Sequence, residues 1–249
     1  MKLQKNEQFF DDISEFYDGM INFGTAIERR KNVLKQLTAG EVRTAADLGC
    51  GSGLDSVALA LNGIEVTAFD QSDGMIGRAE ENASRAGVRV RFIKSSLHRI
   101  SNSFRDSFDM AISLGNTLAN LESERLRETI KKIHLILKAD GMAVIQVLNY
   151  GGIIKNSERI INITDKDQET FIRFYDFMPG YLNFNILKFN KASHNDRSLY
   201  TTKLYPHTKK TFSDMLKEAG FRKIGFYGSL KFEKFEAGSS KDLIIRALK

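Results

Sequence analysis

Apolar positions near the start of the chain recur at helical spacing. Phe9, Ile13, Phe16, Tyr17 and Met20 share one face of QFFDDISEFYDGM, which predicts an amphipathic helix. A second helix is expected from about 26 to 37, closing before Gly40. The pattern then alternates between short apolar runs and longer stretches of 3.6-residue period. Strands are predicted at 43–48, 64–69, 88–94, 108–114 and 142–148, with helices from about 53, over 73–86 and over 122–138. Alternation of this kind calls for a mostly parallel sheet with helices on both faces.

After Tyr150 the period shortens to two. Apolar and polar residues alternate through 170–177, 182–189 and 199–205, the pattern of antiparallel strands. Pro179-Gly180 supplies a turn between the first two, and Ser193-His-Asn-Asp196 is expected to form a loop before the third. A helix over 209–219 should end at Gly220, and apolar runs near 221–228 and 241–248 read as two last strands that complete the first sheet. The expected division is 1–150, an inserted antiparallel β lobe over 151–205, and a C-terminal helix with strands over 206–249.

Composition narrows the class without naming a chemistry. The 249 residues are 42% apolar, enough for a substantial core. No apolar stretch approaches the roughly 20 residues that span a bilayer, and no secretory leader is legible at the start. Cys50 is the single cysteine, so an internal disulfide is ruled out, which fits a reducing cytoplasm. The net charge of +6 raises the question of an anionic partner. Its basic residues are dispersed among acids with no basic tract, the pattern of a solvated surface and not of a nucleic-acid footprint.

Candidate chemistry begins at AADLGCGSGL. Asp47-Leu-Gly-Cys-Gly-Ser-Gly53 follows a predicted strand and opens a predicted helix, the setting in which glycines let a ligand approach the main chain. The spacing is G-x-G-x-G and not the G-x-G-x-x-G of dinucleotide sites. Asp70 ends the next strand, where a carboxylate can accept hydrogen bonds from both ribose hydroxyls. Taken singly, Asp47 could simply cap the loop and Asp70 could be a turn residue; together with the glycines they form an ordered pattern.

Four landmarks in order, Ala46-Asp-Leu-Gly-Cys-Gly-Ser-Gly53, Val66-Thr-Ala-Phe-Asp-Gln-Ser-Asp-Gly-Met75, Val90-Arg-Phe-Ile-Lys-Ser-Ser-Leu97 and Phe108-Asp-Met-Ala-Ile-Ser-Leu-Gly-Asn116, resemble class I S-adenosylmethionine-dependent methyltransferases. The resemblance implies an α/β fold: a three-layer Rossmann-like sheet, mostly parallel with an antiparallel last strand, plus the small antiparallel β lobe. It places a lid helix and the cofactor-binding core within 1–150. It also implies S-adenosyl-L-methionine as cofactor and S-adenosyl-L-homocysteine as product, with no metal. Carried over residue by residue, Asp47 organises the ammonium side, Gly49, Cys50 and Gly51 form the loop around the methionine tail, and Asp70 holds the ribose. Gln71 and Met75 flank adenosine, Ser96 and Leu97 meet the ring edge, and Leu114 offers its carbonyl to the ammonium. Many relatives have an acid where Ser96 stands, and a structural strand end is the other reading there.

Leu114-Gly-Asn-Thr-Leu-Ala-Asn-Leu121 and Gln146-Val-Leu-Asn-Tyr-Gly-Gly-Ile-Ile154 resemble segments of the glycine and sarcosine N-methyltransferase group. That resemblance implies a small-molecule acceptor, with an amine as first choice, positioned by Tyr17, Asn116, Asn149 and Tyr150. Arg29, Arg173, Tyr175 and His207 are candidate acceptor-binding residues. Each has a structural alternative: turn chemistry for Asn116 and Asn149, core packing for the tyrosines, a solvated helix face for Arg29. The alternatives for the whole chain are an RNA or other macromolecule methyltransferase and a non-catalytic cofactor-binding regulatory protein. The N/D-P-P-Y/F motif of base-amine enzymes is absent, Leu114-Gly-Asn-Thr117 standing in its place.

Overall fold

Two helices open the chain, α1 (Asn6–Ile21) and α2 (Phe23–Leu37), joined through Asn22 in the left-handed conformation at φ 53°. Asparagine tolerates that region better than most residues, and the Asn22 N–H closes α1 by donating to the Gly19 carbonyl at 3.2 Å. This computed structural model describes residues 3–38, 40 and 42–249. Next come β1 (Thr44–Leu48), α3 (Leu54–Leu61), β2 (Glu65–Asp70), α4 (Asp73–Arg85), β3 (Arg91–Lys94), β4 (Phe108–Ser113), α5 (Ser123–Ile136) and β5 (Leu137–Leu148). A short helix α6 (Tyr150–Lys155) leads into β6 (Ile160–Lys166), β7 (Glu169–Met178), β8 (Tyr181–Asn190) and β9 (Ser193–Leu204). The chain ends with α7 (Lys209–Ala219), β10 (Arg222–Tyr227) and β11 (Asp242–Leu248).

The larger sheet has the order β10-β11-β5-β4-β1-β2-β3, and β11 runs antiparallel to both β5 and β10. The expected α/β class with an antiparallel last strand is therefore observed. Its strands alternate their side chains between two apolar layers. Phe108 and Ala111 of β4 join Leu126, Ile130, Phe212 and Leu216 of α5 and α7, while Met110 and Ile112 join Leu34, Ala58 and Leu59 of α2 and α3. Fully burying such side chains is worth roughly 1.5–3 kcal/mol each, and two covered faces explain why the central strands read as nearly continuous apolar runs.

The second sheet is antiparallel, in the order β6-β7-β8-β9. Helix α1 lies between it and the core: Phe16 stacks on Phe171 at 5.4 Å and meets Tyr200, while Asp11 accepts hydrogen bonds from Ser72 Oγ (2.6 Å) and the Gly74 N–H (3.0 Å) at the start of α4. This arrangement roofs the carboxyl ends of the parallel strands.

Several boundaries differ from the sequence pattern. Strand β3 starts at Arg91 and not near 88, and α2 begins at Phe23 and not at Ala26. The predicted helix over 122–138 stops at Ile136, and β5 starts at once, passing through Asp140 at φ 60° with a register shift against β4. Ser193–Asp196 are part of β9, because the turn is made by the two residues before them. Helix α6 and strand β6 had no legible signal. β6 is an edge strand with most of its residues exposed, so neither face imposes alternation. Among the described residues, no helix is long and apolar enough to cross a membrane.

Candidate functional site

The loop after β1 turns on glycines at φ 79°, 52° and 84° (Gly49, Gly51, Gly53). Its main chain is tied to the end of β2: the Gly49 N–H donates to the Phe69 carbonyl at 2.7 Å and the Gly51 N–H to Asp70 Oδ2 at 2.9 Å. Asp70 Oδ1 accepts from the Ser72 N–H at 3.0 Å. Burial pushes the Asp70 carboxyl up, and the N–H groups of Ser72, Gly51 and Gln71 pull it back. Asp70, Gly49, Gly51, Gln71, Ser96 and Leu97 line a cavity of about 680 Å³, closed by Asn6, Phe10 and Tyr17 of α1. Two lining glycines, Gly51 and Gly115, have positive φ, and a Cβ on either would meet no atom within 4 Å and so would project into open space.

Asp47 lies beneath this loop, 2% exposed, accepting a hydrogen bond from Ser56 Oγ at 2.5 Å. Burial first, then the neighbouring Asp55, push its carboxyl up to about 8, against the Ser56 hydrogen bond and Arg30. Arg30 itself is engaged, with Nε 2.8 Å from Asp55 Oδ1.

A second cavity, about 590 Å³, shares Phe10, Tyr17, Gly115 and Asn120 with the first. Asn116, Arg173 and Tyr175 line it together with apolar side chains of α1 and β8. Asn116 sits at φ 68° and joins the ends of β4 and β5: its N–H donates to Gln146 Oε1 (3.0 Å), its Oδ1 accepts from the Leu148 N–H (3.0 Å) and its Nδ2 donates to the Tyr150 hydroxyl (2.6 Å). Burial raises the phenols of Tyr17, Tyr150 and Tyr175, so all three are neutral at pH 7. Burial lowers Arg173, but a guanidinium stays charged; its Nε donates to Asn162 Oδ1 at 2.6 Å.

Residues 45–141 match the methyltransferase domain family. The chain carries an S-adenosylmethionine-dependent methyltransferase domain. A glycine/sarcosine N-methyltransferase of Aphanothece halophytica is 26% identical over 229 residues, 90% of this chain and 83% of that protein. A carboxy-S-adenosyl-L-methionine synthase of Nautilia profundicola is 26% identical over 232 residues, 89% of each. An S-adenosylmethionine-dependent methyltransferase structure from Clostridium acetobutylicum shares the fold with a TM-score of 0.79 at 15% identity, covering 96% of this chain and 98% of that one. The first cavity of the methyltransferase domain fits its cofactor: a glycine cradle open where side chains would intrude, with a half-buried carboxylate on its wall.

The structure sorts the residues singled out in the sequence. Gly49, Gly51, Asp70, Gln71, Ser96 and Leu97 line the first cavity of the methyltransferase domain, Asn116, Arg173 and Tyr175 the second, and Tyr17 both. Asp47, Cys50, Leu114 and Tyr150 are buried behind these walls, and the Leu114 carbonyl accepts from Thr117 Oγ1 at 2.9 Å. Burial pushes the Cys50 thiol up, away from nucleophilic use.

Four more of the residues singled out stand away from both cavities. Met75 lines neither cavity, because it faces α1 and is buried with Phe9 and Ile13. Arg29 is exposed on α2, away from both cavities. Asn149 caps α6 and donates to the Ala237 and Ser240 carbonyls at 2.9 Å, a brace for the C-terminal loop. His207 is buried with Nε2 2.7 Å from the Leu121 carbonyl and an edge-on contact to Phe212. The sequence reading missed Asn6, Phe10, Thr117 and Asn120. Asn6 donates to Asn120 Oδ1 at 2.7 Å and accepts from Gln71 Nε2 at 2.8 Å, latching α1 over the cavity. The available signal was the polar side of the α1 stripe beside Phe10.

Proposed function

We propose that this methyltransferase transfers a methyl group to a small amine held in the second cavity. The observation that supports it most is the shared wall: Tyr17, Gly115 and Asn120 border both cavities, so occupants of the two chambers meet there. When bound, S-adenosylmethionine supplies a sulfonium methyl that a nucleophile takes in line as sulfur leaves with the bonding electron pair. In this reading Asp70 accepts the ribose hydroxyls, Gly49 and Gly51 follow the amino-acid tail, Asp47 braces that loop from behind through Ser56, and Ser96 with Leu97 meets the adenine edge. Arg173 draws in an anionic group of the acceptor, and Tyr17 covers the transfer point.

The lining of the second cavity contains no carboxylate or imidazole among the described residues, and its tyrosines are neutral phenols at pH 7. The amine therefore gives up its proton to water, helped by the positive Arg173, which disfavours a second cation nearby. Positioning and exclusion of water are what the chain contributes. Mass-detected transfer from S-adenosylmethionine to a panel of amines, with RNA alongside, tests the reading. Methylated amine is the expected product; methylated RNA with every amine untouched overturns it.

A further inference from the structure

The second cavity has far more apolar wall than a two-carbon amino acid uses. Arg173 and Tyr175 alternate on β7, and Ile186 and Phe184 are their register partners on β8, so all four point from one sheet face toward α1. Facing them are Phe10, Ile13 and Met20 of α1, with Leu204 at the side. Arg173 is the one cation in this lining, and among the described residues its hydrogen bond to Asn162 engages Nε only, leaving the terminal amino groups for a guest.

The chamber is also open at one end. Leu148, Ile161 and Tyr175 border both it and a further cavity that runs past Ile153 to Ile160, which is 63% exposed. The lining there is mixed, with Asn156, Glu158 and Lys241 beside Ile153 and Ile160.

We infer that the acceptor is an amine bearing a carboxylate and an apolar body of leucine or phenylalanine size or larger, with the carboxylate on Arg173 and the body against Phe184, Ile186 and α1. The inference rests on the amine-acceptor reading above and specifies its substrate class. An ion pair alone would serve glycine equally well; the apolar wall is what separates the two. At about 0.8 kcal/mol per buried methylene, each added carbon tightens binding by a factor of about 4.

Calorimetry on the intact protein saturated with S-adenosylhomocysteine tests this with glycine, sarcosine, leucine, phenylalanine, 3-phenylpropanoate and 2-phenylethylamine. Phenylalanine and 3-phenylpropanoate should bind at least ten-fold tighter than glycine. Arg173→Gln should weaken both acids ten-fold or more without weakening 2-phenylethylamine, while Phe184→Ala should weaken phenylalanine and spare glycine. Melting temperature and S-adenosylhomocysteine affinity check that each variant is folded. Glycine or sarcosine binding as tightly as the larger acids overturns the inference, as does equal loss of acid and amine on Arg173→Gln. Failure of S-adenosylhomocysteine to bind would refute the cofactor arrangement instead, and the same comparison of acids then decides the inference on the unliganded protein.

Discussion

Two aspartates near the glycine loop differ in what surrounds them. Asp70 is on the cavity wall, each of its oxygens accepting one main-chain N–H. Asp70→Ala should remove a charge-assisted contact worth about 1.5–3 kcal/mol, weakening S-adenosylhomocysteine ten-fold or more; unchanged affinity by calorimetry in a folded variant would refute the assignment. Asp47 is buried and titrates at about 8, against about 3.9 in the unfolded chain. Between those values the folded state holds a proton that the unfolded state has lost, so this residue makes stability fall as pH rises from about 4 to about 8, with no further loss above. Asp47→Asn should remove that slope and raise the melting temperature at pH 8 more than at pH 4. Parallel melting profiles for the two proteins across this range would show that Asp47 is not the titrating group.

At the scale of an element, the loop between β1 and α3 depends on close approach as well as on dihedral freedom. A Cβ on Gly49, at φ 79°, would lie 2.1 Å from Thr117 Cγ2, whereas one on Gly63, at φ 82°, would meet no atom within 4 Å. Both alanine variants incur left-handed strain of about 1–2 kcal/mol, but only Gly49→Ala also has to displace the Thr117 segment. We expect Gly63→Ala to lower the melting temperature modestly with full S-adenosylhomocysteine affinity, and Gly49→Ala to lose more stability and most of the affinity. Equal effects in denaturant titration and calorimetry would mean that dihedral freedom is all the loop needs. Helix α1 illustrates a different limit: its apolar stripe announced a helix and holds Tyr17, yet Asn6 and Phe10, beside that stripe, join Tyr17 in closing the first cavity.

For the whole molecule, the net charge of +6 is spread through local pairs. Lys94 meets Asp73, Lys131 meets Glu218, Lys138 meets Asp109 and Lys210 meets Asp214. Pairs of this kind contribute little to stability, but they leave the surface without a continuous basic track among these segments. Binding to RNA or duplex DNA should therefore be weak at about 0.15 M salt. A phosphate-led interface would lose about 0.9 decades of duplex affinity per decade of salt for each neutralised phosphate. Tight binding that persists at moderate salt, measured by fluorescence anisotropy, would restore a macromolecular acceptor.

Periodicity determined the α/β class and the antiparallel lobe, and glycine spacing set the loop apart from the dinucleotide pattern, because each depends on residues within a turn or a strand of one another. Asp70, Gln71, Ser96 and Leu97 were legible for that reason: they stand at strand ends, and parallel strands deliver their carboxyl ends to one side of a sheet. Asn149 occupies a similar strand end, yet it turns to brace Ala237 and Ser240, 88 and 91 positions away, which its own neighbours do not announce. Arg29 and Arg30 are adjacent in sequence, and only the packing of α2 on α3 exposes one and pairs the other with Asp55. Arg173 shares a cavity with Tyr17 because α1 lies between the lobe and the core. Spacing along a chain sets which side chains share a face of an element; which face meets which is decided by the burial of several elements at once, and that is where the acceptor chamber comes from.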